Sequence, residues 1–147
     1  MALYDTMLRR GNLVYCHGAD DNHNSRPLDD YLSDSFGAWT MVLAGELTYP
    51  AVVRALEQGR FYASTGPSIT CLSFDGKKVH MEFTAAARAM MHMSPKRAVS
   101  VCNHDGSPIT QADFVIPDDA PYVYFSVRTA EGKQACVHAF TRADLGI

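Results

Sequence analysis

Asp20, Asp21, Asn22 and His23 are the sharpest chemical constellation in this 147-residue chain. Asp21 and His23 stand two apart, and in an extended segment residues i and i+2 point to the same side. A carboxylate oxygen and an imidazole nitrogen would then converge on one point. That donor pair suits zinc, manganese or iron. Asp20 points elsewhere and is placed to act as a hydrogen-bond acceptor behind the ligands. His17, just before Gly18, stands near enough to contribute, although strand-end histidines are more often structural. Spacing alone leaves a second reading open, because Asp-x-His is common by chance and a solvated turn uses the same residues.

The remaining chemistry-bearing residues read more plainly. Cys102-Asn103-His104 marks a strand end running into the Asp105-Gly106 turn. His80, His92 and His138 alternate with apolar residues and are expected to face solvent from strands. Ser64 and Thr65 have no histidine and acid near them, and the Gly-x-Ser-x-Gly elbow of serine hydrolases is absent. Trp39 reads as a packing anchor, and Met90, Met91 and Met93 as core fillers. The four cysteines (Cys16, Cys71, Cys102 and Cys136) are widely spaced in apolar or strand-like contexts, which predicts free, mostly buried thiols.

A polar loop needs rigid elements to hold it. Ala2 to Arg10 reads as a short helix with Leu3, Met7 and Leu8 on one face and Gly11 ending it. Leu13 to Cys16 reads as a short buried strand delivering the polar stretch His17 to Asp34. Thr48 to Gly59 reads as a three-turn helix, with Thr48 as N-cap, Pro50 in the first turn and Val52, Val53 and Leu56 as its apolar stripe. From Arg60 the texture turns to short strands. They are expected at Phe61 to Thr65, Ser68 to Phe74, Val79 to Phe83, Ala89 to Met93, Ala98 to Cys102, Ala112 to Ile116, Tyr122 to Thr129 and Gln134 to Thr141. Asp75-Gly76 is a hairpin signal. Strands at this spacing suggest an antiparallel sandwich or small barrel. The predicted fold is α+β. Residues 1–66 form a strand, loop and helix segment, and residues 67–147 an antiparallel β-sandwich.

Three segments, in order, resemble the PHP (polymerase and histidinol phosphatase) family of metal-dependent phosphoesterases. Leu13-Val14-Tyr15-Cys16-His17-Gly18-Ala19-Asp20-Asp21-Asn22-His23-Asn24 is similar to the family's late metal motif, a hydrophobic strand ending in Asp-Asp-x-His-Asn. Asp34-Ser35-Phe36-Gly37-Ala38-Trp39-Thr40-Met41-Val42 is similar to its Asp-Ser-Phe-Gly-Gly-Trp-Thr segment. Arg60-Phe61-Tyr62-Ala63-Ser64-Thr65-Gly66-Pro67 is similar to its Arg-Phe-Tyr-Ala-Ser-Thr-Gly-Pro segment. The resemblance spans about residues 5 to 75 and implies a partial PHP-type α/β segment. It also implies Asp21 and His23 as metal ligands, with Asp20, His17 and Asn24 around them. The implied reaction is hydrolysis of a phosphorylated small molecule by metal-activated water.

The family's early His-x-His ligands are absent from this sequence, which begins where the last third of such a domain would. The chain is therefore expected to be incomplete and inactive alone, to bind zinc, manganese or iron weakly if at all, and to contribute no catalytic residue beyond the ligands. Its expected partners are a second copy or the missing N-terminal segment. The alternative is a non-catalytic β-sandwich module for binding or self-association, with a vestigial Asp-x-His site.

Bulk properties exclude several other classes. Thirteen basic against sixteen acidic residues give a net charge of -3, which argues against general nucleic-acid or anionic-membrane binding. No stretch reaches the roughly 18 to 20 apolar residues of a membrane span. Met1 to Gly11 lacks the apolar run of a signal peptide, so a cytoplasmic setting is expected.

Overall fold

The computed structural model describes residues 2–94 and 97–147. Helix α1 (Ala2–Arg9) opens the chain. It buries Tyr4 and Leu8, four apart on one face, while Leu3 is exposed. The buried stripe is thus shifted from the Leu3, Met7 and Leu8 face expected. Asp5, also buried, pairs with Arg9 at 3.0 Å and accepts from the Tyr122 hydroxyl at 3.1 Å.

The strand expected at Leu13 to Cys16 does not form, because no neighbouring strand offers it a ladder. Its alternation survives without one. Val14 and Cys16 pack with Tyr4, Leu8, Tyr122 and Tyr124 under α1. Tyr15 turns the other way, edge-on to Phe61 at 5.8 Å and to His138 at 4.9 Å.

The first strand is instead β1 (Trp39–Val42), followed by α2 (Tyr49–Glu57) and β2 (Phe61–Ser64). Thr48 sits at the α2 N-cap, but its hydroxyl bonds to Glu46 at 3.2 Å and makes no cap. Pro50 occupies the first turn as expected. Only Ala55 of this helix is buried, and Leu56 is exposed. Gly59 ends the segment at φ +68, with the Tyr15 ring 2.7 Å from where a Cβ would stand. A side chain there would be strained by both backbone and packing.

The rest is antiparallel sheet: β3 (Ile69–Asp75), β4 (Lys78–Ala86), β5 (Arg88–Met93), β6 (Arg97–Val101), β7 (Ile109–Val115), β8 (Tyr122–Arg128), β9 (Gln134–Val137) and β10 (Phe140–Thr141), then the short helix α3 (Arg142–Leu145). Asp75 pairs with Lys78 across the expected hairpin, and Gly76 supplies its positive φ of 56°. One sheet runs β1-β2-β9-β8-β5-β6, with β10 on β8, and the other β3-β4-β7. The expected boundary at residue 66 falls between β2 and β3, which lie in different sheets. β1 and β2 extend the larger sheet through β2–β9 pairing, Tyr62 opposite Val137.

The core lies between the two sheets. Val79, Met81 and Phe83 of β4 and Phe114 of β7 meet Met91 and Met93 of β5 and Val123, Phe125 and Val127 of β8. Each such side chain contributes roughly 1.5 to 3 kcal/mol relative to exposure. Period-2 alternation explains the selection, since every second residue of β4 is buried from Val79 to Phe83. All four cysteines are free, but only Cys136 is buried and Cys102 is exposed. Burial pushes the Cys136 thiol up to about 12.

His92 and His138 do not face solvent as expected. The larger sheet is covered on its second face by α1 and Tyr15, so outward positions there are half-buried. His92 stacks on Tyr124 at 4.5 Å and meets the Ser126 hydroxyl at 2.8 Å. Burial lowers the pKa of both rings below 6.5, with Asp5 opposing it at His92 and the Phe61 carbonyl opposing it at His138. A histidine with a lowered folded pKa binds fewer protons than its unfolded form. Its stabilising effect is present above the unfolded pKa and is lost as pH falls from 6.5 through the folded value. His80, exposed beside Asp113, is shifted upward and acts with the opposite sign, but solvent screens it. The urea midpoint is therefore expected to fall between about pH 7.5 and pH 5. His92→Gln should flatten that dependence, and a midpoint rising toward pH 5 would contradict it.

Candidate functional site

The polar loop is fastened to β1. The Thr40 hydroxyl accepts the Gly18 N–H at 3.0 Å and donates to the Gly18 carbonyl at 3.0 Å. A Cβ on Gly18 would fall on the Trp39 carbonyl, so the chain passes β1 only because residue 18 has no side chain. Trp39 itself is half-buried and belongs to neither group of core side chains, so it is not the packing anchor expected.

Beyond Gly18 the loop folds back on residues 34–36 through three successive contacts. Asp20 Oδ2 accepts the Phe36 N–H at 2.6 Å. Asn22 Nδ2 donates to the Ser35 hydroxyl. Asp34 Oδ2 accepts the His23 N–H at 2.8 Å. Asp21, Asn24 and Phe36 are held at φ of 57°, 51° and 61°. A left-handed phenylalanine is rare, and the flanking contacts over-determine it.

This geometry revises the expected ligand arrangement. Asp21 lies outside the extended region, so the i, i+2 convergence argued for a strand does not apply to it. His23 is brought to Asp34 instead, whose Oδ2 lies 3.7 Å from its Nδ1. Asp20 accepts from the main chain of Phe36, and no contact joins it to His23. Asn24 donates its N–H to Asn22 Oδ1 at 2.6 Å, closing a turn. His17, Asp21, His23 and Asn24 are all exposed.

Asp34 was missed as a site residue because nothing local marks it. Its sequence signal was its position opening the Asp34-Ser35-Phe36-Gly37 segment, in the same polar stretch as His23. Its Oδ1 is buried with no hydrogen-bond partner among the described residues. A desolvated carboxylate oxygen without a donor is costly, and a cation beside it would offset that cost.

The donor types suit a divalent ion: oxygens from Asp20, Asp21 and Asp34, and nitrogen from His23. They do not come together. Among the described residues, no group of three or more His, Cys, Asp or Glu comes together to hold one. The residues fit such an ion in kind, but those described do not gather into a site for it.

The other candidates are structural. Asn103 donates to Ser107 at 2.9 Å inside the Asp105-Gly106 turn, next to exposed His104. His80 bridges Asp113 at 2.7 Å and Glu82 at 3.5 Å on the outer face of the smaller sheet. The Ser64 hydroxyl is buried and donates to the Pro67 carbonyl at 2.7 Å, holding the strand end at Gly66-Pro67. An apolar cleft of about 440 Å³ lies beside Leu43, Phe61, Ile69, Phe74 and His138, with no residue of the polar loop in its wall. No helix among the described residues is long and apolar enough to cross a membrane.

Comparison of the chain with protein-family models, with curated proteins and with solved structures finds no match.

Proposed function

We propose that this chain is the C-terminal part of a metal-dependent phosphoesterase of the PHP type, incomplete and inactive alone. One observation carries the reading: the segments that resemble that family interlock in space. Gly18 is tied to Thr40, Asp20 to Phe36 and His23 to Asp34, while β1 pairs with β2 along Trp39 to Val42. Residues from Gly18 to Ser64 thus build one support for the loop that carries His17 and His23.

In this reading Asp21 and His23 are ligands, with Asp20, His17 and Asn24 around them. The ion is zinc, manganese or iron. When bound, it supplies Lewis acidity toward a phosphoryl oxygen and acidifies a water molecule. The chain's own residues orient the loop and present the imidazole. The remaining ligands come from an upstream segment carrying His-x-His or from a second protomer. The substrate is a phosphorylated small molecule, and the setting is cytoplasmic. Hydrolysis of a generic aryl phosphate tests the proposal, with no turnover expected from the chain alone.

A second reading, a self-associating module with a vestigial site, is favoured by the distribution of exposed apolar surface. Among the described residues, every exposed large hydrophobic side chain except Val99 and Val115 lies within the first 56 residues. Leu43 and Leu47 beside the edge strand β1 are 73% and 96% exposed. Such surface, next to an unpaired strand edge, is commonly covered by association. Sedimentation at micromolar concentration is expected to show a dimer, and a clean monomer would contradict self-association.

A further inference from the structure

We infer that the apolar cleft between the two sheets binds a fatty-acid-type carboxylate, with its hydrocarbon tail in the cleft and its carboxylate on Arg60. The inference goes beyond the metal-site reading and does not rest on it, because no residue of the polar loop lies in the cleft wall.

The cleft follows from the unequal width of the sheets. The larger runs β1-β2-β9-β8-β5-β6 and the smaller only β3-β4-β7. Across the core β4 meets β8, and β7 meets β5 and β6, which leaves β1 and β2 with no described strand opposite them. The space beside the β3 edge is about 440 Å³, within the usual range of ligand cavities. Its wall is already braced. The Tyr62 hydroxyl accepts the Ile69 N–H at 3.0 Å and ties β3 to β2. The Phe140 ring lies 5.1 Å from Phe74 and 4.6 Å from His138, and Tyr15 backs His138 at 4.9 Å. A wall that is in place before binding costs little ordering when a ligand arrives. Met41 and Leu43 line the cleft and are exposed, and a hydrocarbon tail gains with every methylene it takes from water against them.

Charge complementarity selects the head group. The wall includes Arg60 and no Asp or Glu, in a chain that carries sixteen acidic residues. Burial lowers the pKa of His138 and keeps it neutral at pH 7, so Arg60 is the one full charge on the wall. Among the described residues no hydrogen bond or ion pair occupies its guanidinium. Its backbone is fixed, with the N–H on the Ala55 carbonyl at 2.8 Å and the carbonyl accepting the Leu43 N–H at 2.8 Å. A guanidinium fork held at the rim of an apolar space takes a carboxylate bidentately. One such fork balances a monoanion, whereas a phosphate monoester carries nearly two charges at pH 7 and would be left partly uncompensated.

The test uses the full chain and decanoate below its micellar concentration. In ¹H–¹⁵N NMR, decanoate should shift the Arg60, Cys71 and His138 amides saturably and leave those of residues 17–24 unmoved. Arg60→Gln should weaken binding about tenfold or more. Leu43→Asp, which sets a negative charge on an exposed position of the wall, should weaken it as well. Decanol, with the tail and no charge, should bind more weakly than decanoate. Shifts that do not saturate, shifts centred outside the cleft, an affinity unchanged in Arg60→Gln, or decanol binding as tightly as decanoate each overturn the assignment. So does a wild-type dimer in sedimentation whose cleft amides ignore decanoate, which would make a second copy the occupant.

Discussion

Replacing Phe125 by alanine should destabilise the protein by about 3–5 kcal/mol, the largest loss expected from any single core truncation. Phe125 is 0% exposed and sits on β8, an interior strand of the larger sheet, facing the smaller one. Its ring lies 6.0 Å from Phe74 and 5.9 Å from Phe114 of the opposite sheet, and 6.5 Å from Phe140. Truncation removes the transfer free energy of the ring and leaves a hole between two hydrogen-bonded sheets that cannot easily close. Domains of this size are stable by only about 5–15 kcal/mol, so the variant should unfold at far lower urea, and near the lower limit should not fold at all. Val115→Ala, on the exposed outer side of β7, is the control and should change stability by no more than about 0.5 kcal/mol. A Phe125→Ala variant within about 1 kcal/mol of wild type would show that the sheets do not pack through this ring.

The second large effect is on metal binding. Isothermal titration of the chain with zinc or manganese should reveal one weak, exchangeable site per chain, removed by His23→Ala. The reasoning is a ligand count. Structural and catalytic zinc sites ordinarily use three or four protein ligands, and here His23 is the imidazole whose backbone is braced against Asp34. Removing its nitrogen leaves oxygens alone, which hold zinc poorly. Asp21→Ala should weaken the site further if Asp21 ligates despite its left-handed backbone. Binding that persists unchanged in His23→Ala would place the ion elsewhere on the chain.

Much of the β-rich half was legible because its signals are local. Val79, Met81 and Phe83 alternate with polar residues, and Asp75-Gly76 fixes a turn, so the β3–β4 hairpin follows from neighbours alone. α2 was legible for the same reason, through Pro50 and Gly59. Partnering was less legible, because a strand's neighbour is a non-local choice. Leu13 to Cys16 has the composition of a strand and finds no ladder, whereas Trp39 to Val42 finds one in Phe61 to Ser64. The same limit applies to His92 and His138. Alternation placed them off the core face, but only the fold shows that α1 and Tyr15 cover that second face.

At the site, the sequence singled out the loop and its histidine but not their geometry. The convergence of Asp21 with His23 assumed an extended backbone, and the backbone at Asp21 is left-handed. Asp34 acts across eleven residues of chain, by a contact that no spacing rule between the two positions encodes. Gly18 is a parallel case: its need for no side chain arises from the Trp39 carbonyl, twenty-one residues on.

Aryl-phosphate turnover tests the central claim most directly, measured with zinc, manganese or iron on the chain alone and on a form extended upstream with a His-x-His segment. No turnover is predicted from the chain alone, because its described residues offer no three-ligand group. The extended form should hydrolyse the ester and lose that activity on Asp21→Ala or His23→Ala. An extended form whose turnover is indifferent to both substitutions would contradict the account.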